Sequence, residues 1–216
     1  RLQSRVESFD VSGATVYTIR ASLNRPPVWT PVATRRVTEG LRLTFNLKAT
    51  DPDPIPQPIT YGLVEGPVGL TVSTNGVVTW IPSEAQGPST NLVVVFASDG
   101  AISSTLQFVI IVAERNQPPV WTNPGTRRVT EGLQLTFTLK ATDPDLPVQT
   151  LRYTLEQGPT GLKVATNGVL SWKPTEAQGP STNRVTVRVS DGVVSVTQDF
   201  NIVVIDSPAG AAKLTL

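Results

Sequence analysis

The chain has 216 residues, with 18 Lys plus Arg against 17 Asp plus Glu and a net charge of +1. That balance lacks the basic excess of a nucleic-acid binder. The absence of Cys, His and Met excludes disulfides, haem ligation, thiolate and imidazole catalysis, and the usual zinc sites.

Hydrophobic residues make up 39%, enough for packed cores and too many for a disordered chain. The longest apolar runs, residues 92–97 and 108–113, are far too short to span a bilayer. Composition reads as soluble, β-leaning and non-catalytic. The opening at Arg1 without a leader reads as a processed or cropped piece of a longer protein.

In chain order, residues 1–23 hold a strand at Thr15 to Ala21 and a second around Val6 to Val11. That is too little to bury a core. It reads as the tail of a preceding module, or as a strand donated to another copy. Residues 24–115 then align without a gap to residues 116–207 at a constant offset of 92, with 56 of 92 positions identical. Two tandem modules follow one another. Residues 208–216 read as a linker or the start of a further element.

Each module reads as about seven strands. In the second, Leu133, Leu135, Phe137, Leu139 and Ala141 alternate with Gln134, Thr136, Thr138 and Lys140. Leu151, Tyr153 and Leu155 mark the next strand. Val185, Val187 and Val189 mark another, and Phe200, Ile202 and Val204 the last. Asn75-Gly76 and Asn167-Gly168 lie between short apolar runs, a strong hairpin signal. No helical stripe interrupts them. The pattern predicts an all-β chain, two seven-stranded β-sandwiches of immunoglobulin-like or cadherin-like shape in a rod. Trp80 and Trp172 fall on alternating strands as core residues, while Trp29 and Trp121, after Pro-Pro, plug a pole of each sandwich.

Several motifs recur in both modules: Asn-x-Pro-Pro-Val-Trp, Val-Thr-Glu-Gly, Ala-Thr-Asp-Pro-Asp and Ser-Asp-Gly. With these motifs, residues 24–207 resemble the bacterial cadherin-like repeats, including dystroglycan-type and putative Ig-like modules of large surface proteins. The resemblance implies calcium between consecutive modules. Carried over, the central junction would use Glu39, Glu84, Glu114, Asn116, Asp143, Asp145 and Asp191. A half-site for a preceding module would use Asn24, Asp51, Asp53 and Asp99, and one for a following module Glu131, Glu176 and Asp206. Two departures point to about one or two ions per junction rather than three. The acidic linker run is shortened to Glu114-Arg115-Asn116-Gln117. Glu84 also stands in Pro-Ser-Glu-Ala where the family has Asp-Arg-Glu.

Physical chemistry gives the implied ion a rationale. Calcium takes about six to eight hard oxygen ligands. Clustered carboxylates about 4 Å apart repel by about 1 kcal/mol each even in water. Two alternatives stay open. Asp-Pro-Asp, Ser-Asp-Gly and Glu-Gly are each ordinary turn chemistry, and Arg35-Arg36 and Arg127-Arg128 offer guanidinium partners in place of a metal.

The functional expectation is a non-catalytic, calcium-rigidified structural or adhesive module pair, extracellular or on a bacterial cell surface. Its partners would be neighbouring modules, other copies of itself, or a surface glycan or protein, without nucleic acid and without membrane insertion. The alternatives are a filament subunit assembled by strand donation and a polysaccharide-binding accessory module. Enzymatic chemistry is not expected. Candidate carboxylate pairs repeat in both modules without a cleft-forming insertion, and no phosphate loop is present.

Overall fold

The computed structural model describes residues 2–11 and 14–207, up to residue 22 as strand backbone alone. The chain divides into two compact units, Arg1–Arg115 and Asn116–Leu216. Within the first, strands β1 (Leu2–Val11) and β2 (Ala14–Leu23) pair antiparallel from Leu2 opposite Leu23 to Val11 opposite Ala14. The strand expected at residues 15–21 is therefore paired along its length. The expectation for residues 208–216 lies outside the described residues.

The first module contains β3 (Val28–Trp29), β4 (Arg35–Thr38), β5 (Leu43–Asn46), β6 (Ala49–Thr50) and β7 (Thr60–Glu65). It continues with β8 (Thr71–Val72), β9 (Val77–Trp80), β10 (Ser89–Ser98) and β11 (Ser103–Ala113). A four-stranded sheet, ordered β4-β11-β10-β7, faces a three-stranded one, β5-β9-β8, and β3 pairs with β6. Strand β4 lies parallel to β11, whereas the other pairings are antiparallel. Two of the seven expected strands are each divided between sheets, as β3 with β4 and β5 with β6, which gives nine segments.

The second module repeats this plan with β12 (Val120–Thr122), β13 (Arg127–Thr130), β14 (Leu135–Thr138), β15 (Lys140–Thr142) and β16 (Arg152–Gln157). Strands β17 (Lys163–Val164), β18 (Val169–Trp172), β19 (Ser181–Ser190) and β20 (Ser195–Ile205) complete it. Its sheets are ordered β13-β20-β19-β16, β14-β18-β17 and β12-β15. The run from Leu133 to Ala141 is thus not one strand. Leu133 is exposed in the turn closed by its N–H on Thr130 O, and the chain changes sheets at Leu139, whose N–H bonds Gly168 O. From Leu135 onward the alternation holds, with Leu139 buried and Thr136, Thr138 and Lys140 exposed.

Each core is a set of inward residues that survives in both copies. Val93, Val95, Phe108, Ile110 and Val112 are buried, as are Val185, Val187, Phe200, Ile202 and Val204 at the matching positions. Trp80 and Trp172 are 1% exposed. Their indole N–H groups are satisfied by Val68 O and Thr160 O at 3.1 Å, so burial leaves no donor unpaired. Trp29 packs edge-on against Tyr61 and Trp121 against Tyr153, with ring centroids 5.7 and 5.5 Å apart.

The Asn-Gly pairs close the β8–β9 and β17–β18 hairpins. Gly76 and Gly168 sit at φ +85° and +87°, which suits a residue without a Cβ. Apart from single 3-10 turns at Glu84–Gln86 and Glu176–Gln178, no helix occurs among the described residues. None is long and apolar enough to cross a membrane.

Candidate metal centre

One end of the first module gathers three carboxylates from separate elements. Glu39 follows β4, held there by its N–H on Ala113 O at 3.1 Å. Glu84 opens the 3-10 turn. Ser83 and Gln86 fix that turn, with Ser83 N–H donating to Gln86 Oε1 at 3.0 Å and Gln86 Nε2 to Val68 O at 3.0 Å. Glu114 follows β11 directly. Ligand oxygens of the three lie within 4.8 Å of one another.

Glu39 is 2% exposed. Its Oε1 accepts the Arg115 N–H at 2.9 Å, whereas Oε2 is buried without a hydrogen-bond donor. The carboxylate rests on Gly87, where any Cβ would collide with Oε2. A buried carboxylate oxygen without a donor, beside two further carboxylates, suits a hard cation. Left alone it costs the desolvation of the charge with nothing in return.

The same end of the second module is built differently. Glu131 is buried, its Oε1 accepts the Ser207 N–H at 2.9 Å, and it rests on Gly179 as Glu39 does on Gly87. Glu176 and Asp206 are exposed, however, and no second convergent group of this kind occurs among the described residues. Asp206 stands where the first copy has Glu114, one methylene shorter.

The Asp-Pro-Asp turns belong to the opposite set of loops. In the first module Asn24 Nδ2 donates to Asp99 Oδ2 at 2.8 Å, and Asp53 N–H to Asp51 Oδ1 at 2.9 Å. Gln57 N–H donates to Asp51 Oδ2 at 2.6 Å. Asp53 receives the Arg25 N–H and, at 3.0 Å, the Arg25 Nε–H of an ion pair. In the second module Asn116 Nδ2 donates to Asp191 Oδ2 at 3.1 Å, Gln117 N–H to both oxygens of Asp145 at 3.0 Å, and Asp145 N–H to Asp143 Oδ1 at 3.0 Å. Gln149 Nε2 reaches Asn116 Oδ1 at 2.8 Å. Asp143 Oδ2 and Gln149 Oε1 are buried without partners.

The Ser-Asp-Gly aspartates are anchored similarly. The Ile102 N–H, with help from Ala101 and Asn24, holds the Asp99 carboxyl below its ordinary range against the opposing effect of burial. For Asp191 burial pushes upward and is outweighed by the Val194 and Val193 N–H groups and the Asn116 amide. Both stay ionised at neutral pH. Neither Asp143 nor Asp145 is paired with an arginine or lysine among the described residues.

Two of the arginines named from sequence, Arg35 and Arg127, are engaged elsewhere. The guanidinium of Arg35 lies over Phe45 and that of Arg127 over Phe137, each 4.5 Å from the ring centre. Arg25, Gln149 and Gly87 were not singled out from sequence. Of these only Arg25 left a signal, as a basic residue replaced by Gln117 in the other copy.

Residues 118–205 match the family described as Putative Ig domain. Chitinase A of Pseudoalteromonas piscicida is 33% identical over 188 residues, a match that takes in 85% of this chain and 22% of that protein. The chain therefore spans under a quarter of that relative's length. Among solved structures, human protocadherin-24 EC1-2 superposes with a TM-score of 0.57 at 22% identity, over 86% of this chain and all of that one. Mouse protocadherin-24 EC1-3 gives 0.50 at 13% identity, over 94% and 79%. At such identities the likeness is one of fold. The modules are cadherin-like, Ig-like β-sandwiches.

Proposed function

We propose that the chain is a non-catalytic, calcium-binding pair of structural or adhesive modules belonging to an extracellular or cell-surface protein. The observation that carries this reading is the buried Glu39 Oε2, which lacks a donor and lies in a group with Glu84 and Glu114. These three residues would hold the ion in the first module. Asn116, Asp143, Asp145 and Asp191 are the oxygen donors that the second module would offer. A bound divalent cation supplies the charge that offsets carboxylate repulsion. Because Glu114 opens the segment leading into the second module, its capture stiffens that segment. Extracellular calcium modules bind at about 10⁻⁴–10⁻³ M, so they fill outside a cell and empty within. The partners in this reading are neighbouring modules, further copies, or a surface glycan or protein.

Melting and small-angle scattering, each with calcium and with chelator, test the proposal. Calcium is expected to raise the melting temperature and narrow the distribution of dimensions. Identical melting and identical radius in both conditions would defeat it.

A second reading, a polysaccharide-binding accessory module, draws on the match to a chitinase. Its candidate aromatic platforms, Trp29 and Trp121, are committed to Tyr61 and Tyr153. Retention of the intact chain on chitin, lost in Trp29→Ala and Trp121→Ala, would favour this reading over the first.

A further inference from the structure

Where β12 passes to β13, and β14 to β15, the chain changes sheets and the seam between the sheets opens. A surface cavity of about 210 Å³ lies there. Its polar lining is Thr122, Asn123, Arg127, Thr138 and Lys140, with the buried Leu139 beside them. We propose that this cavity of the second module is an oxyanion site, taking one sulfate or carboxylate group that is either free or carried on an acidic glycan. The inference goes beyond the calcium reading, uses none of its residues and does not depend on it.

The lining offers donors. Thr122 and Lys140 stand opposite each other on β12 and β15, so their side chains share a face. Asn123 Oδ1 accepts the Gly125 N–H at 2.9 Å, which commits the amide's acceptor to the turn and leaves its Nδ2 donors. No carboxylate lines the cavity. Neither Arg127 nor Lys140 pairs with an acid among the described residues.

Arg127 gives the reason for a ligand. It is half-buried, its guanidinium lies over Phe137 at 4.5 Å from the ring centre, and its Nε is shielded from water without an acceptor. The ring face attracts the charge but cannot neutralise it. A partly desolvated cation, with a second cation in the same cavity, is costly without a counter-charge. An oxyanion supplies one, and a guanidinium suits two oxygens of the same group. Volume sets the size of the ligand. Sites for whole small molecules have about 300–1,000 Å³, so this smaller cavity takes a single charged group. In the first module Arg35 lies over Phe45 in the same way and Lys48 recurs, but Pro31 and Asn46 stand in place of Asn123 and Thr138. The stacked arginine therefore belongs to the shared fold, and the Asn123 donor to the second copy alone.

Sodium sulfate titrated into the intact chain, against sodium chloride at equal ionic strength, tests this through amide and side-chain resonances. Chelator throughout keeps the outcome separate from the calcium reading. Signals of Asn123, Arg127 and Lys140 are expected to move saturably with sulfate and not with chloride. Those of Lys163 and Lys173, exposed on the same module, should stay still. Equal movement at those two lysines, or none in the cavity, would overturn the site.

Arg127→Gln should abolish the sulfate response. Lys140→Gln, at an exposed position, should weaken it about fivefold or more, the scale of one unit charge about 4 Å from another in water. If R127Q loses its fold, K140Q decides, and an unchanged sulfate affinity there would refute the proposal. Retention on dextran sulfate but not on dextran, weakened by K140Q, would support the site and put the oxyanion on a polymer. A saturable sulfate response without that retention would support it with the free anion as ligand.

Discussion

Glu39 shows how one residue's surroundings determine another's identity. Its carboxylate lies where a side chain on Gly87 would be, although Gly87 has an ordinary extended backbone, and Glu131 and Gly179 repeat the arrangement. Gly87→Ala should destabilise the first module by about 1–3 kcal/mol, the usual cost of overpacking. Chemical denaturation checks this, and an unchanged midpoint would mean that Glu39 swings away freely.

A second residue-scale expectation concerns Asp199, whose carboxyl is held below its ordinary 3.8 by the Arg184 guanidinium at 2.6 Å and the Thr186 hydroxyl. A depressed folded-state value stabilises the fold above the unfolded-state pKa, and that contribution is lost as pH falls through the folded value. Arg184→Gln should return the Asp199 titration, followed by carboxyl NMR, upward toward 3.8. No movement would refute the pairing. The acidic residues themselves were legible in the sequence. Their partners were not, because Arg25 and Asp53 are 28 positions apart and only the fold brings them together.

At the scale of elements, the two copies diverge on the face of β10 and β11 turned away from the core. On β10 and β11 Leu92, Val94, Phe96 and Val109, on the face opposite the inward valines and with Val94 itself buried, become Arg184, Thr186, Arg188 and Asn201 in the second copy, while the inward valines and Phe108 are kept. Arg188 pairs with Glu156 at 2.8 Å and Arg184 with Asp199 at 2.6 Å, where the first copy has Phe96 and Val64, and Leu92 and Gln107, at the matching positions. Phe96 and Gly62 face each other across β10 and β7, with the ring occupying the space of a Cβ. Their counterparts are Arg188 and Thr154.

Gly62→Thr alone should therefore cost about 1–3 kcal/mol. Adding Phe96→Arg should recover most of that loss, since contacting sites couple. Additive losses in the double variant would contradict the pairing. Strand periodicity made these elements readable in advance. The alternation stayed intact across Leu139 even though β14 and β15 join different sheets, so the break left no mark on the pattern. It depends on the Leu139 N–H bonding Gly168, 29 residues away.

For the molecule as a whole, the gapless repeat at an offset of 92 carries the argument. It made the modular plan readable from the sequence and supplies an internal control, because two nearly identical backbones hold different side chains at the acidic turns. Comparing them separates what the fold requires from what a cation would require. The buried carboxylates Glu39 and Glu131 are common to both copies, but only the first copy brings two more carboxylates beside its glutamate. That contrast was not legible in advance, since Glu84 and Glu176 are identical residues in closely similar local sequences, Pro-Ser-Glu-Ala and Pro-Thr-Glu-Ala. The copies differ at the last position, where Glu114 is matched by the shorter Asp206, and Glu176 is exposed where Glu84 is half-buried.

The most direct measurement is anomalous diffraction from crystals of the intact chain grown with calcium. The account predicts a peak bounded by Glu39 Oε2 and by oxygens of Glu84 and Glu114 at about 2.3–2.6 Å. A water or a basic side chain at that position, with no anomalous signal at saturating calcium, would contradict it.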